Sequence, residues 1–466
     1  MTTRSIFVAA SMLLLGGCMV GPKYTKPTVP IVPVFKEGNG WKTASPNDQA
    51  LRGDWWTMFG DPQLNVLETQ VDTANQTLKA AEANYRAARE AIMLSRAQLK
   101  PTISTEPGIE AIHEAVGKTS TGQVVQAGPG SAVLPLDFNW EIDLWGRLRR
   151  GVTSAREQAQ AGAADLENAR LSLHAELAIN YFELRSADAQ IKLLAETIKA
   201  YTQALQLTED RFEGGAAPQS DVTQARTQLD TARVQETDVG VMRAQYEHAI
   251  AILIGEPSAD LTLAPAPVTA AIPDIPVAVP SQMLERRPDV AAEERRMASA
   301  NEQIGIAKAA YYPEVSLSAL GGLGGWPGAL WAVGPMLTET LFDGGRRRAT
   351  SNIALANYDA AVANYRQTAL TAFQQVEDNL AALRVLETES GQQKEATASA
   401  VESLDLFQTR YEGGVDTYLQ VVTWQTAALM NERAEIDLMR RRLDASVLLI
   451  KAVGGGWDSA RLTALK

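Results

Sequence analysis

The pentapeptide RFEGG, Arg211 to Gly215, returns as RYEGG, Arg410 to Gly414, 199 positions further along the chain. The same offset superimposes Gly146-Arg147 on Gly345-Arg346, Leu184-Arg185 on Leu383-Arg384, and Gly255 on Gly454. A chance match would not keep its offset over some 110 residues, so one unit is present twice. Each copy carries a stretch that admits few structures. From Arg147 to Phe212 there is no proline and only Gly151 and Gly162 interrupt; from Arg346 to Glu412 there is no proline and only Gly391. Each stretch predicts a helix of about 65 residues, roughly 95 Å at 1.5 Å per residue. Such lengths exceed what a compact domain uses and belong to coiled-coil or bundle architecture. After each EGG the chain runs back through Asp221 to Ile254 and through Tyr418 to Val453, again poor in Gly and Pro. Each EGG is therefore expected at the tip of an antiparallel helical hairpin, with glycine supplying the backbone freedom of the turn.

A different pattern precedes each long helix. In LPLDFNWEIDL the apolar residues Leu134, Leu136, Phe138, Trp140, Ile142 and Leu144 alternate with Pro135, Asp137, Asn139, Glu141 and Asp143. That period of two predicts a strand. Weaker alternation occupies Ile103 to Ala111 and Val315, Leu317 and Ala319 with Ser316 and Ser318 between them; Trp331 to Leu341 is the least regular. Turn-rich segments, GKTSTGQVVQAGPG at 117–130 and GGLGGWPG at 321–328, separate the paired strands. The second lacks GK[ST] and follows no strand-to-helix signal, so it is a hairpin loop rather than a phosphate cradle. A face carrying Phe138 and Trp140 opposite carboxylates suits a half-buried soluble sheet, and equally an outer-membrane strand with lipid outside and water inside. No run of 18 apolar residues follows the first twenty positions, so no helix is predicted to cross a membrane. A membrane tolerates no open sheet edge. Four strands per chain would then need copies to close one barrel, two giving eight strands and three giving twelve; an eight-stranded barrel is filled by its own side chains, so a conduit needs at least three.

The N-terminus MTTRSIFVAASMLLLGGC has one cation, Arg4, an apolar run from Ile6 to Leu15, and small residues before Cys18, the only cysteine. This is a short secretory signal. Leu15-Gly16-Gly17-Cys18 is similar to a bacterial lipobox, in which the thiol becomes the diacylated start of the mature chain. With one cysteine, disulfides within the chain are excluded, and acylation tethers without spanning. Met19 is not the aspartate that would hold a lipoprotein at the inner membrane. The net charge of −12, with charged residues at 21 % and aromatics at 6 %, fits an alanine-rich helical protein and argues against a nucleic-acid partner.

Five segments carry a family resemblance: VGPKYTKP after Cys18, WWTMFGDPQLNVL at 55–67, DLWGRLRR at 143–150, RRPDVAAEERRMASANEQIGIAKAAYYPEVSLS at 286–318, and RYEGGVDTYLQVVTWQTAAL at 410–429. Together they resemble TolC-type outer-membrane factors, in the lipoprotein, NodT-like branch. The resemblance implies an α+β membrane protein: a homotrimeric twelve-stranded outer-membrane β-barrel, four strands per chain, continued by a long periplasmic α-helical barrel, with two repeats per chain. It also implies a small equatorial domain that draws on the Pro-rich connection after 256 and on the RRPD region. The expected layout is a signal peptide at 1–17, a lipid-anchored extension at 18–60, a first repeat at 61–255, a linker at 256–287, a second repeat at 288–456 and a tail at 457–466. Strands are expected near 101–112, 131–143, 313–323 and 331–342, and hairpin tips at 211–218 and 410–417.

The implied function is a passive exit duct of a tripartite efflux or export system, working with a periplasmic adaptor and an inner-membrane pump, of the resistance-nodulation-division type. A duct for type I protein secretion is the alternative. In the family RYxxG-type turns dock onto adaptor hairpins, so Arg211, Phe212, Gly215, Arg410, Tyr411 and Gly414 are contact candidates. The gate of relatives lies just after the second turn, at a leucine matching Leu419 and often an aspartate four residues on. Here that second position is Thr423, so a gate packed around Leu419 with hydrogen bonds from Thr423 is expected, with Asp416 as a candidate charge ring nearer the tip. An enzyme is disfavoured: only His113, His174 and His248 occur, no HExxH, GxSxG or Walker pattern is present, and no cofactor is expected. A purely coiled-coil periplasmic lipoprotein would not need amphipathic strands ahead of two helix pairs. Replacing Cys18 by Ser is expected to abolish incorporation of radiolabelled palmitate, and persistent labelling would remove the lipoprotein assignment.

Overall fold

The computed structural model describes residues 19–29, 34–37, 53–110, 117–118, 124–125, 131–275, 285–324 and 329–457. Cys18 and His113 lie outside the described residues, as does the tail from residue 458. A 3-10 helix, Trp55–Phe59, leads into α1 (Pro62–Ala74) and α2 (Gln76–Ala97), and the strands β1 (Thr102–Ser104), β2 (Gly108–Glu110), β3 (Gly117–Lys118), β4 (Val124–Val125) and β5 (Ser131–Glu141) follow. The first hairpin is α3 (Arg147–Glu213) and α4 (Gln219–Leu253). Then come α5 (Pro288–Ala309), β6 (Glu314–Gly324), β7 (Ala329–Thr338) and the second hairpin, α6 (Arg346–Glu412) with α7 (Tyr418–Ala452). Both long helices have 67 residues and both return helices 35. Each long helix starts on an aspartate that accepts two backbone N–H groups, Asp143 from Leu148 and Arg149, Asp343 from Gly345 and Arg347. A carboxylate at this end is favoured by the helix dipole as well.

Three strand expectations change. The first strand is not continuous: Thr105 to Pro107 separate β1 from β2, although both pair antiparallel with β5. Pro107 has no N–H for the ladder and sits where pairing lapses. The turn-rich segment at 117–130 holds a second, two-stranded ladder, β3 with β4. The third change is that β5 ends at Glu141 and β7 at Thr338, so Asp143 and Leu341 belong to the junctions below the sheet.

In the main sheet β1 and β2 pair with β5, β5 with β6, and β6 with β7. The register places Ile103, Phe138, Ala319 and Val333 in one row, with Trp140, Leu317 and Pro335, and Leu136, Gly321 and Trp331, in the rows beside it on the same face. The intervening rows, such as Thr102, Asn139, Ser318 and Gly334, point to the other face. Period-two alternation thus yields one wholly apolar face and one mixed polar face. Among the described residues no helix covers the apolar face: Ile103 is 72 % and Trp331 74 % exposed.

Below the sheet, α2, α3, α5 and α6 pack side by side in that order, which repeats the strand order because each strand runs directly into its own helix. Lower still the order is α4, α3, α7, α6. Midway along, a core joins the two levels, with Trp55, Phe59, Leu64, Phe182, Ile250 and Leu449 buried together. Burial of each such side chain contributes about 1.5–3 kcal/mol. The Pro-rich segment after α4 is sewn onto this region. Asp188 accepts from Arg185, Arg243 and the Ala266 N–H, while the two arginines donate to the carbonyls of Ala264 and Leu263.

The N-terminal strap starts at the sheet–helix junction. The Val20 N–H donates to Trp145 O at 3.1 Å, and Arg150 donates to the carbonyls of Val20 and Pro22. Arg150 also pairs with Glu302 on α5 at 2.6 Å, with only 4 % and 10 % of the two side chains exposed. The strap then descends past Glu294, which accepts from Tyr24 and Lys26, to Glu377, which accepts the N–H groups of Lys36 and Glu37. Arg150→Ala would leave Glu302 buried without its counter-charge, at a cost of about 3–5 kcal/mol. The expected outcome is a lower melting temperature and faster proteolytic cleavage within residues 19–29; unchanged cleavage would show that the strap is held elsewhere.

Candidate functional site

The two tips share one backbone. In the first, the Ala216 N–H donates to Arg211 O and the Gly215 N–H to Phe212 O; in the second, Val415 and Gly414 donate to Arg410 and Tyr411 in the same way. This is the Schellman closure of a helix. Gly215 and Gly414 have φ of 71° and 74°, whereas Gly214 and Gly413 have ordinary negative φ. Only the second glycine of each pair is required by the turn, because a Cβ is strained in that left-handed conformation.

The side chains of the two tips have different tasks. Arg211 reaches across to the other hairpin, donating to Tyr411 O at 2.7 Å and Glu412 O at 3.2 Å while lying 4.6 Å from the Tyr411 ring centroid. Arg410, its counterpart, instead pairs with Asp416 inside its own turn and remains exposed. The aromatics also diverge. Phe212 is 41 % exposed, but Tyr411 is 5 % exposed and packs edge-on against Tyr418, 5.2 Å away. Burial pushes the Tyr418 phenol up to about 12. Of the six sequence-derived contact candidates, Phe212 and Arg410 are presented to solvent, while Tyr411 shapes the tip from within and Arg211 locks the two hairpins together.

Of the gate candidates Leu419 and Thr423 sit on the first turns of α7, and Asp416 lies in the tip turn just before it. Leu419 is 55 % exposed in the single chain. The Thr423 hydroxyl donates to Leu419 O at 2.9 Å within its own helix, so it has no free proton to donate across a pore, contrary to the expected role. Asp416 is already partnered by Arg410, which offsets its charge. Among the described residues no group of three or more His, Cys, Asp or Glu side chains could hold a metal ion, and no helix is long and apolar enough to cross a membrane.

Among the described residues the wall has two uncovered edges. On one side β7 continues into α6, with Val333, Leu337, Ile353, Leu355 and Leu406 exposed. On the other β1 meets α2, with α4 below, and Ile103, Met93, Leu94, Val234 and Val241 are exposed. Unpaired strand edges and apolar helix faces of this extent are available for pairing and burial by another chain.

A family model described as outer membrane efflux protein matches residues 69–256 and 279–455. The chain belongs to that family. It is 30 % identical over 467 aligned positions to the probable efflux pump outer membrane protein TtgC of Pseudomonas putida, covering 98 % of this chain and 96 % of that one. Outer membrane protein OprJ of Pseudomonas aeruginosa is 30 % identical, with 96 % and 95 % covered. The outer-membrane channel OprN superimposes with a TM-score of 0.86 at 28 % identity, over 94 % of this chain and all of its own.

Membership of the family does not by itself separate the two tips, but their side-chain partners do. Arg211→Ala removes two hydrogen bonds to carbonyls and a ring contact, so amide exchange in the 411–417 turn is expected to rise about tenfold, the equivalent of 1.4 kcal/mol. Arg410→Ala breaks an exposed pair worth about 0–1 kcal/mol and should raise it no more than about fivefold. Equal effects on hydrogen exchange measured by mass spectrometry would contradict the division of labour between the two arginines.

Proposed function

We propose that three copies close edge to edge into an exit duct of the outer membrane, through which an efflux system passes its substrates from the periplasm outward. The observation that carries this reading is the shared lateral order of strands and helices. A copy that adds its β1 edge to a neighbour's β7 also brings α2 and α4 against that neighbour's α6, so a barrel and a helical conduit close in one operation. Twelve strands leave an interior wide enough for passage, and the uncovered apolar face then meets lipid. The relatives named as efflux pump outer membrane proteins support the same class of task. The acyl chains expected at Cys18 would add a tether beside the sheet–helix junction where the strap begins.

In this reading the tips meet a periplasmic adaptor, which links the duct to an inner-membrane pump of the resistance-nodulation-division type. Phe212 and Arg410 are the groups available for that contact; Gly215 and Gly414 shape the turns. The energy comes from the pump, since a duct of this kind only lets substrate descend its gradient. The gate is a ring of Leu419 side chains, one from each copy. Asp416 is a weaker candidate because Arg410 offsets its charge, and Thr423 contributes packing and acceptor oxygen only.

The test is electrical. In planar bilayers Leu419→Ala is expected to raise the single-channel conductance of the isolated trimer severalfold, and Asp416→Ala to change it far less. The reverse order would show that charge rather than packing holds the duct shut, and failure of the purified protein to form any channel would overturn the duct itself.

A further inference from the structure

Away from tips and edges, one buried cluster has chemistry that conduction does not use. His174, on α3, lies between two carboxylates that α1 presents one turn apart: Nδ1 is 2.7 Å from Glu68 Oε2, and Nε2 is 3.4 Å from Asp72 Oδ1. Trp56 stacks on the imidazole with 4.4 Å between centroids and 22° between planes. Glu68 has no exposed surface and its Oε1 has no partner among the described residues. Nε2 has no hydrogen-bond partner among the described residues, so Asp72 acts on the ring through its charge: a neutral imidazole that donates Nδ1–H to Glu68 turns a lone pair toward Asp72, whereas imidazolium turns an N–H toward it.

Carboxylates outnumber permanent cations around the cluster among the described residues. Arg170 on α3 lies 3.1 Å from Asp72, 2.6 Å from Glu167 and 3.9 Å from Glu82 of α2. Asp54 lines the same cavity of about 180 Å³, and Gly454 to Trp457, which close its far side, bring no titratable side chain. Among the described residues one permanent cation therefore faces five carboxylates, Asp54, Glu68, Asp72, Glu82 and Glu167. Burial pushes the Glu68 carboxyl up to about 7.

We propose that Glu68, His174 and Asp72 form a proton-dependent fastener, whose shared proton holds residues 53–74 against α3 and whose deprotonation loosens that segment as the pH rises through neutrality. The sign follows from linkage. The docked cluster keeps a proton that an undocked Glu68 releases near its ordinary value of 4.5, so undocking releases a proton between there and about 7. The stabilisation is present in full below about 4.5, falls as the pH rises toward 7 and is lost above about 7. A protein facing the periplasm would thus carry a tighter equatorial collar in acid surroundings.

Hydrogen exchange of the purified full-length protein in detergent, between pH 5 and 8 and corrected for intrinsic base catalysis, tests this. The opening constant of peptides covering 53–74 is expected to rise at least tenfold over that range in the wild type and less than threefold in Glu68→Gln, with peptides from α4 flat in both. A flat wild-type profile, or an equal rise in Glu68→Gln, overturns the proposal. Should Glu68→Gln fail to fold, the wild-type contrast between 53–74 and α4 decides alone.

Discussion

Chain continuity between strand and helix is the constraint on which the rest of the molecule depends. Each of the four ladder positions runs directly into a helix below it, α2 into β1, β5 into α3, α5 into β6 and β7 into α6. No lateral rearrangement of the helices is then possible without tearing the sheet, and the sheet cannot slip register without turning its apolar face around. The short junctions enforce this. Asp143 and Asp343 cap the helices within a few residues of the strands, and Trp145 both donates to Pro313 O and receives the strap at Val20. Among the described residues such a wall leaves two sheet edges uncovered, and it is on these edges that the proposed closure by further copies rests.

The duplication produces equal elements with unequal surroundings. Helix α3 has neighbours on both sides at both levels and buries 23 residues; α6, of the same length, forms an edge and buries 11. The first hairpin is therefore the fixed reference and the second is attached to it along one side. The two arginines of the repeated pentapeptide reflect that difference. Arg211 acts from the fixed hairpin and secures the turn of the other, while Arg410 serves only its own turn. Near-identical pentapeptides at the tips predict the same backbone turn, which Gly215 and Gly414 display, but cannot predict which copy lies inside the wall.

What could be seen in the sequence was whatever depends on local periodicity. The absence of Pro and Gly over each long stretch, the EGG turns and the alternation in LPLDFNWEIDL all act within a few residues, and the hairpins, tips and β5 stand where those signals lie. Non-local pairing was hidden. Nothing near Arg150 announces Glu302, 152 residues away, although Gly305 inside α5 is a trace of it, since a Cβ there would meet the Arg150 side chain at 2.3 Å. Nothing near His174 in the sequence announces Glu68, its carboxylate partner 106 residues upstream. Thr423 looked free to donate across a pore, and only the helix geometry shows its hydroxyl turned back onto Leu419.

The strength of the seam between the hairpins varies along its length. Around the equator it is apolar, with Leu443, Val447 and Ile450 of α7 completely buried. Toward the tips the same seam is built from Tyr201, Tyr411, Tyr418 and Gln425, and several buried polar atoms there lack partners among the described residues, including Tyr411 Oη, Gln425 Oε1 and Arg211 Nε. Buried polar groups without partners each cost about 1–3 kcal/mol, and part of that cost is recovered when the groups reach water. Near the tips the seam rests on directed hydrogen bonds, Arg211 to Tyr411 O and Glu412 O and Tyr201 to Gln425 O, whereas at the equator parting the hairpins would put apolar side chains into water with no polar group to gain from it.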